Sequence, residues 1–159
     1  MKNTCPKYKS GFTLMELLVT IAVIGVLSSF VIVASTGQIA KARDVQRQSD
    51  LNQYRIALEN YATKNGGYPV KTTNGGPAWI FLCQFKLQTP ISYMTSCPQD
   101  PIYSSDNTYW YAYQTENSPS LASNYLLSAH LEKGGYWYVC SNGKAGPIAT
   151  YPVTADCGF

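Results

Sequence analysis

Hydrophobic and polar positions divide this chain into two regimes. From Phe12 to Ala34 it reads FTLMELLVTIAVIGVLSSFVIVA, 23 residues whose only charged side chain is Glu16. A helix of that length is about 35 Å long, against a hydrocarbon core of about 30 Å. The alternative is a buried core helix, but a small domain rarely hides a helix that is apolar all round. Past this run the pattern turns periodic. Leu51, Tyr54, Leu58 and Tyr61 recur at helical spacing, with Ala57 and Ala62 beside them, a stripe suited to packing on a sheet. Arg55 and Glu59, four apart, are placed to pair. No proline interrupts the run before Pro69, and Asn65-Gly66-Gly67 is a helix-end signal. The pattern predicts one helix from about Phe12 to Lys64, roughly 80 Å long.

The remainder reads as short elements. Residues 72–77 are a loop, and 78–87 (AWIFLCQFKL) predicts a short helix in preference to a strand. Residues 90–101 are irregular. Thr108 to Gln114 predicts a strand, with Tyr109, Tyr111 and Tyr113 on one face and Trp110 and Ala112 on the other. Asn124 to Leu131 predicts a second strand, Gly134-Gly135 a turn, and Tyr136 to Ser141 a third strand. Residues 142–159 read as a closing loop. The fold class expected is α+β: one long helix packed on a small antiparallel meander.

Composition narrows the function. With 159 residues, 45% hydrophobic and 13% charged, the chain holds one domain plus an anchor and is not disordered. A net charge of +3 is too small for a nucleic-acid binder. The single histidine, His130, excludes a multi-histidine metal site and reads as a hydrogen-bonded structural residue on the second strand. The later acids, Asp100, Asp106, Glu116, Glu132 and Asp156, are widely spaced. No phosphate loop, nucleophile elbow or His–carboxylate motif accompanies them. No enzyme, catalytic residue or cofactor is expected. Asp100 and Asp106 with nearby carbonyls form an alternative calcium pair.

Cys83, Cys97, Cys140 and Cys157 follow the helix, an even number in a small loop-rich domain. That favours disulfides and a compartment outside the cytoplasm. Three pairings are open. The most local is Cys83–Cys97 with Cys140–Cys157, each contributing about 3 kcal/mol in the chain-entropy model. Four buried thiols are the alternative; zinc lacks a C-x-x-C spacing. Basic residues alone do not orient the chain. Lys2, Lys7 and Lys9 balance Lys41, Arg43 and Arg47, and the cysteines break the tie.

The first eleven residues, MKNTCPKYKSG, are a basic leader. No small-residue cleavage site follows the apolar run, and Cys5 precedes it, against both ordinary and lipoprotein signals. Lys9-Ser10-Gly11-Phe12-Thr13-Leu14-Met15-Glu16-Leu17-Leu18 resembles the cleavage and methylation signature of type IV pilins and type II secretion pseudopilins. The match runs on to Leu27, and the close likeness covers roughly residues 7–50. Pro98-Gln99-Asp100-Pro101 is similar to a Pro-x-Asp-Pro turn common among pseudopilins. One departure is Val33, where many relatives carry proline.

The resemblance implies a role for each position. Gly11 is the last leader residue; Phe12 becomes the new N-terminus, cut by a prepilin peptidase and N-methylated. Glu16 meets the Phe12 amine of a neighbouring subunit. The implied organisation is a leader at 1–11, a transmembrane and filament-core half-helix at 12–37, and a globular head at 38–159. The implied function is a structural subunit of a type IV pilus or a type II secretion pseudopilus. Its implied partners are other copies and related pilins, the prepilin peptidase, the inner-membrane assembly platform, and membrane lipid before assembly. It would sit in the inner membrane with its N-terminus cytoplasmic, then in an extracytoplasmic or cell-surface filament. The alternative is a minor, tip-located pilin-like protein that initiates assembly or binds surface ligand or DNA through its tyrosine-rich head. Without the leader, nine basic and nine acidic residues remain, so strong capture of DNA is not expected. The acidic calcium loop of several pseudopilins is not carried over, because only Asp156 stands there.

Overall fold

A computed structural model of the chain describes residues 11–71, 77–78, 81–83, 93–116 and 120–152, with the side chains of 29–36 excepted. Helix α1 spans Leu14–Asn65. Thr13 caps its start: the Glu16 amide donates to Thr13 Oγ1 (3.2 Å), and the Thr13 amide donates back to Glu16 Oε2 (3.1 Å). This reciprocal box satisfies two amides that a helix start leaves free. Gly66 ends the helix at φ +82°, its amide donating to Ala62 O at 2.8 Å. The chain divides between Ile39 and Ala40 into two units.

In the first unit the described side chains of α1 are exposed on every side, Leu14 at 87% and Met15 at 72% among them, and Phe12 just before the helix is 89% exposed. Among the described residues no helix is long and apolar enough to cross a membrane. The expected span at 12–37 includes residues 29–36, whose side chains lie outside that description.

The second unit is built on the later part of α1. Its stripe of Leu51, Tyr54, Ala57 and Leu58 is buried against Tyr111, Tyr113, Tyr125, Leu127, Ala129 and Val139. Six strands accompany it: β1 Tyr68–Pro69, β2 Tyr111–Thr115, β3 Leu121–Ala122, β4 Tyr125–His130, β5 Tyr136–Cys140 and β6 Ala145–Ile148. Strands β2, β4, β5 and β6 form one antiparallel sheet in that order; β1 and β3 pair separately. Register puts Tyr111, Ala129 and Trp137 in line, and beside them Tyr113, Leu127 and Val139. Alternation sends these to the face that packs on α1. Ala112, Ser128 and Tyr138, and Gln114, Leu126 and Cys140, fall on the other face. There Gln114 Nε2 donates to Tyr151 Oη and Pro152 O, both at 2.9 Å, which ties down the chain after β6. β1 and β3 approach so closely that a Cβ at Gly67 would lie 2.9 Å from that of Leu121.

Four expectations need correction. The first expected strand starts at Tyr111, not Thr108. Asp106 Oδ1 accepts from the Thr108 amide (2.9 Å) and hydroxyl (2.6 Å), and this Asx turn holds 106–108 out of the sheet. The closing region is not all loop. Asn142 and Gly143 turn the chain, with Gly143 at φ +85°, and β6 then pairs with β5. Gly146 and Pro147 disguise it, and Pro147 is tolerated because β6 is an edge strand. Arg55 donates to Asn52, not to Glu59; Glu59 accepts from the Tyr68 and Tyr125 hydroxyls at 2.9 and 3.1 Å. His130 is held edge-on between Tyr109 and Tyr136, at ring distances of 4.6 and 5.0 Å, and its Nδ1 has no hydrogen-bond partner among the described residues. Of the segment 78–87, residues 78 and 81–83 are described, and these are helical.

Candidate functional site

The chemistry expected of this chain is concentrated around Gly11, Phe12 and Glu16. Gly11 precedes the helix, and a Cβ added there would meet nothing within 4 Å. Packing among the described residues therefore does not call for glycine at this position. Phe12 projects its ring into solvent. Glu16 Oε2 also accepts the Thr13 hydroxyl at 3.1 Å, so among the described residues its carboxylate is held by the cap of its own helix. A carboxylate in the first turn gains from the helix dipole. Two described hydroxyls further along are also served locally: Thr20 Oγ1 donates to Leu17 O at 2.8 Å and Ser28 Oγ to Ile24 O at 2.7 Å. Backbone acceptors on the same helix let such groups enter apolar surroundings without an unsatisfied donor. The described part of α1 within the first unit can thus enter a dry apolar environment with one formal charge to neutralise, that of Glu16.

The head contains a second charged constellation, which the sequence reading missed. Arg47 lies on the buried stripe, one turn before Leu51, with its side chain fully buried. Its guanidinium donates Nε to Asp100 Oδ2 (2.7 Å), Nη2 to Asp100 Oδ1 (3.0 Å) and Nη1 to Asp44 Oδ1 (2.7 Å). Nη2 is also 3.0 Å from Glu132 Oε1. Arg43 grips Glu132 with two bonds, at 2.6 and 2.9 Å. A planar fork can hold carboxylates on several sides, which suits arginine to this place. Burial acts to lower the Arg47 pKa; the bonds and charge of Asp100, then Asp44 and Glu132, outweigh it and raise it. Glu132 is pulled down to about 2, chiefly by its bond to Arg43. Asp50, close by, accepts the Tyr111 hydroxyl at 2.6 Å, and burial pushes its pKa up.

This arrangement corrects two further expectations. Asp100 is the buried partner of Arg47, and Asp106 is committed to Thr108; among the described residues no group of acids, histidines or cysteines is placed to hold a metal ion. Arg43 and Arg47 are spent on carboxylates inside the head, which weakens their place in any count of charges flanking a membrane span. The signal for Arg47 was present as a charge on an apolar stripe, together with an aspartate in a proline-bounded turn.

Cys83 and Cys97 are bridged. Cys140 is also in a disulfide; the position proposed as its partner, Cys157, lies outside the described residues. The tyrosines go to packing: of the seven from Tyr103 to Tyr138, Tyr111, Tyr113 and Tyr125 are buried and the other four half-buried.

Comparison with known proteins matches the same N-terminal segment. The family model described as the prokaryotic N-terminal methylation motif matches residues 6–32. The chain is 34% identical over 98 residues to the type II secretion system core protein G of Aeromonas hydrophila, covering 58% of this chain and 67% of that protein. The Escherichia coli (strain K12) protein of the same name is 42% identical over 66 residues, 42% of this chain and less than half, 44%, of the relative. That of Pseudomonas aeruginosa is 27% identical over 138 residues, 81% of this chain and 89% of the relative. No solved structure matches. With a methylation motif on its apolar helix and a core protein G relative covered over two thirds of its length, the chain belongs to the type IV pilin and type II secretion pseudopilin family.

Proposed function

We propose that this chain is a structural subunit of a type II secretion pseudopilus and polymerises through its N-terminal helix. The observation that carries the reading is the exposure of that helix on every described side, from Leu14 to Leu27, beside a single carboxylate. So large an apolar surface is not left in water. Lipid covers it before assembly, and neighbouring helices cover it afterwards. The relatives named core protein G favour the pseudopilus over a surface pilus.

Cleavage after Gly11 by a prepilin peptidase would free the Phe12 amine, which is then methylated. Among the described residues nothing packs against position 11, which supports a demand from outside the chain, such as a protease groove that tolerates no side chain. Glu16 leaves its cap and takes the amine of a neighbouring Phe12. The pair sets the axial stagger. Hydrophobic contact supplies most of the attraction but no unique offset, and a wrong offset leaves a charge buried and unpaired, at a cost of several kcal/mol. An assembly platform in the inner membrane and related pseudopilins complete the list of partners. A tip subunit can dispense with this carboxylate, so Glu16 favours a place along the shaft.

Glu16→Ala tests the reading. The variant should still be inserted and cut, yet yield few filaments at equal expression. Normal filament number and length would show that the carboxylate does not set the register.

A further inference from the structure

The Cys83–Cys97 bridge and the Arg47–Asp100 pair are joined by a short, stiff piece of chain, Cys97-Pro98-Gln99-Asp100-Pro101. Each proline fixes its own φ and holds the residue before it to extended backbone, so Gln99 alone is unrestricted. Extended chain covers about 10 Å between Cys97 and Asp100. Arg47 and Tyr54 stand two turns apart on the buried stripe of α1, also about 10 Å. The two lengths match, and both ends are pinned. At one end Tyr54 Oη donates to Pro98 O at 2.8 Å and lies 3.7 Å from Cys83 Sγ. At the other, the Arg47 fork takes both oxygens of Asp100, whose side chain is fully buried. Asp100 Oδ1 also accepts the Ile102 amide at 3.0 Å.

We propose that the Cys83–Cys97 bridge is a redox switch on the buried charge network, seating Asp100 on Arg47 when it closes and releasing it when it opens. Closure is a thiol–disulfide exchange. The thiolate of one cysteine attacks the disulfide of an oxidised dithiol protein, and the thiolate of the other displaces that protein as its dithiol. Two electrons and the two thiol protons pass to the partner's sulfurs. With the bridge open, only the bond from Tyr54 holds the segment near α1, and Asp100 is less concentrated around Arg47. Arg47 then keeps Asp44 and Glu132, while a carboxylate buried without its fork is costly and turns to water. The head therefore completes its polar core only where its cysteines are oxidised. This holds whether or not the chain assembles, and its test needs no filament.

The Arg47 Nε–H, which donates to Asp100 Oδ2 at 2.7 Å, is the reporter. It is followed by nitrogen-15 NMR on the full chain in detergent and assigned by its loss in Arg47→Met. The comparison is between wild type and the double variant Cys83→Ser, Cys97→Ser, which leaves the disulfide of Cys140 in place. In the double variant the β4 amides from Leu126 to Ala129 should stay dispersed, while the Nε–H exchanges with solvent roughly tenfold faster or more. Equal protection of the Nε–H in the two proteins overturns the proposal. Loss of the β4 dispersion overturns it too, because the bridge is then a staple of the whole head and not a switch on one pair. A double-mutant cycle gives a second reading. Arg47→Met should change the unfolding equilibrium constant by a factor roughly tenfold smaller in the bridge-free background than in wild type, since half of the pairing is already gone there. The same factor in both backgrounds would show that bridge and pair are independent, and would overturn the coupling.

Discussion

The two units of this chain solve opposite problems with parts of one helix. In the first, residues 14–28 are apolar on all sides, and the few polar groups are satisfied by their own helix: Glu16 by Thr13, Thr20 by Leu17, Ser28 by Ile24. Nothing in such a surface specifies one neighbour over another apart from a single charge. In the second, the helix buries a guanidinium, a carboxylate and several tyrosine hydroxyls, and nearly every one has a named partner. Buried polar groups are costly unless paired, so they tolerate one arrangement only. The first region is adaptable and, in the proposed role, takes lipid or protein as its surroundings; the second is committed to a single fold.

Breaking the buried network should have the largest effect on that contrast. Arg47→Met leaves Asp100 buried without its counter-charge and should cost the head about 3–5 kcal/mol. Chemical unfolding of the full chain in detergent, followed by tyrosine and tryptophan fluorescence, measures it. Membrane insertion of the N-terminal half should not change. A loss below about 1 kcal/mol would mean that the network is solvated and that the contrast is overstated.

Next in size is the covalent constraint. Cys97→Ser opens the loop from Cys83 and should cost about 3 kcal/mol in the chain-entropy model. The same unfolding measurement detects it, and reductant should lower the wild type at least as far, since Cys140 is bridged as well.

The smallest effect is in pH. Glu132 has its folded pKa lowered from 4.5 to about 2. Its contribution to stability is therefore complete above about 4.5 and is lost as the pH falls from there towards 2. Asp50 acts in the opposite sense: its raised pKa means that protonation relieves a buried charge and offsets part of the acid loss. Stability of the full chain in detergent should fall as the pH drops from 4.5 towards about 2, and Glu132→Gln should flatten that fall. An identical acid limb in the variant would remove Glu132 from the account.

Much of this was legible in the residues themselves. The helix announced itself by an unbroken apolar run, an apolar stripe and a glycine stop, and three of the strands by the aromatic and aliphatic runs at 108–114, 124–131 and 136–141. What escaped was decided by contacts distant in sequence. Arg47 and Asp100 are 53 positions apart, and only the fold brings them together. β6 escaped because glycine and proline speak against a strand, and an edge position removes that objection. Arg55 and Glu59 had suitable spacing, but two tyrosines from other elements supplied better-placed donors for the carboxylate. The N-terminal signature was readable because it depends on local sequence alone: a basic leader, Gly11, Phe12, and Glu16 four positions on.

The central claim is that the N-terminal helix is processed and then built into a filament. The most direct measurement is the N-terminal residue of subunits recovered from sheared filaments of a host expressing the full chain, read by mass spectrometry. The account predicts N-methylated Phe12 as the first residue, with residues 1–11 absent. Filament subunits that begin at Met1 or Lys2, or an unmethylated start elsewhere in the helix, would contradict it.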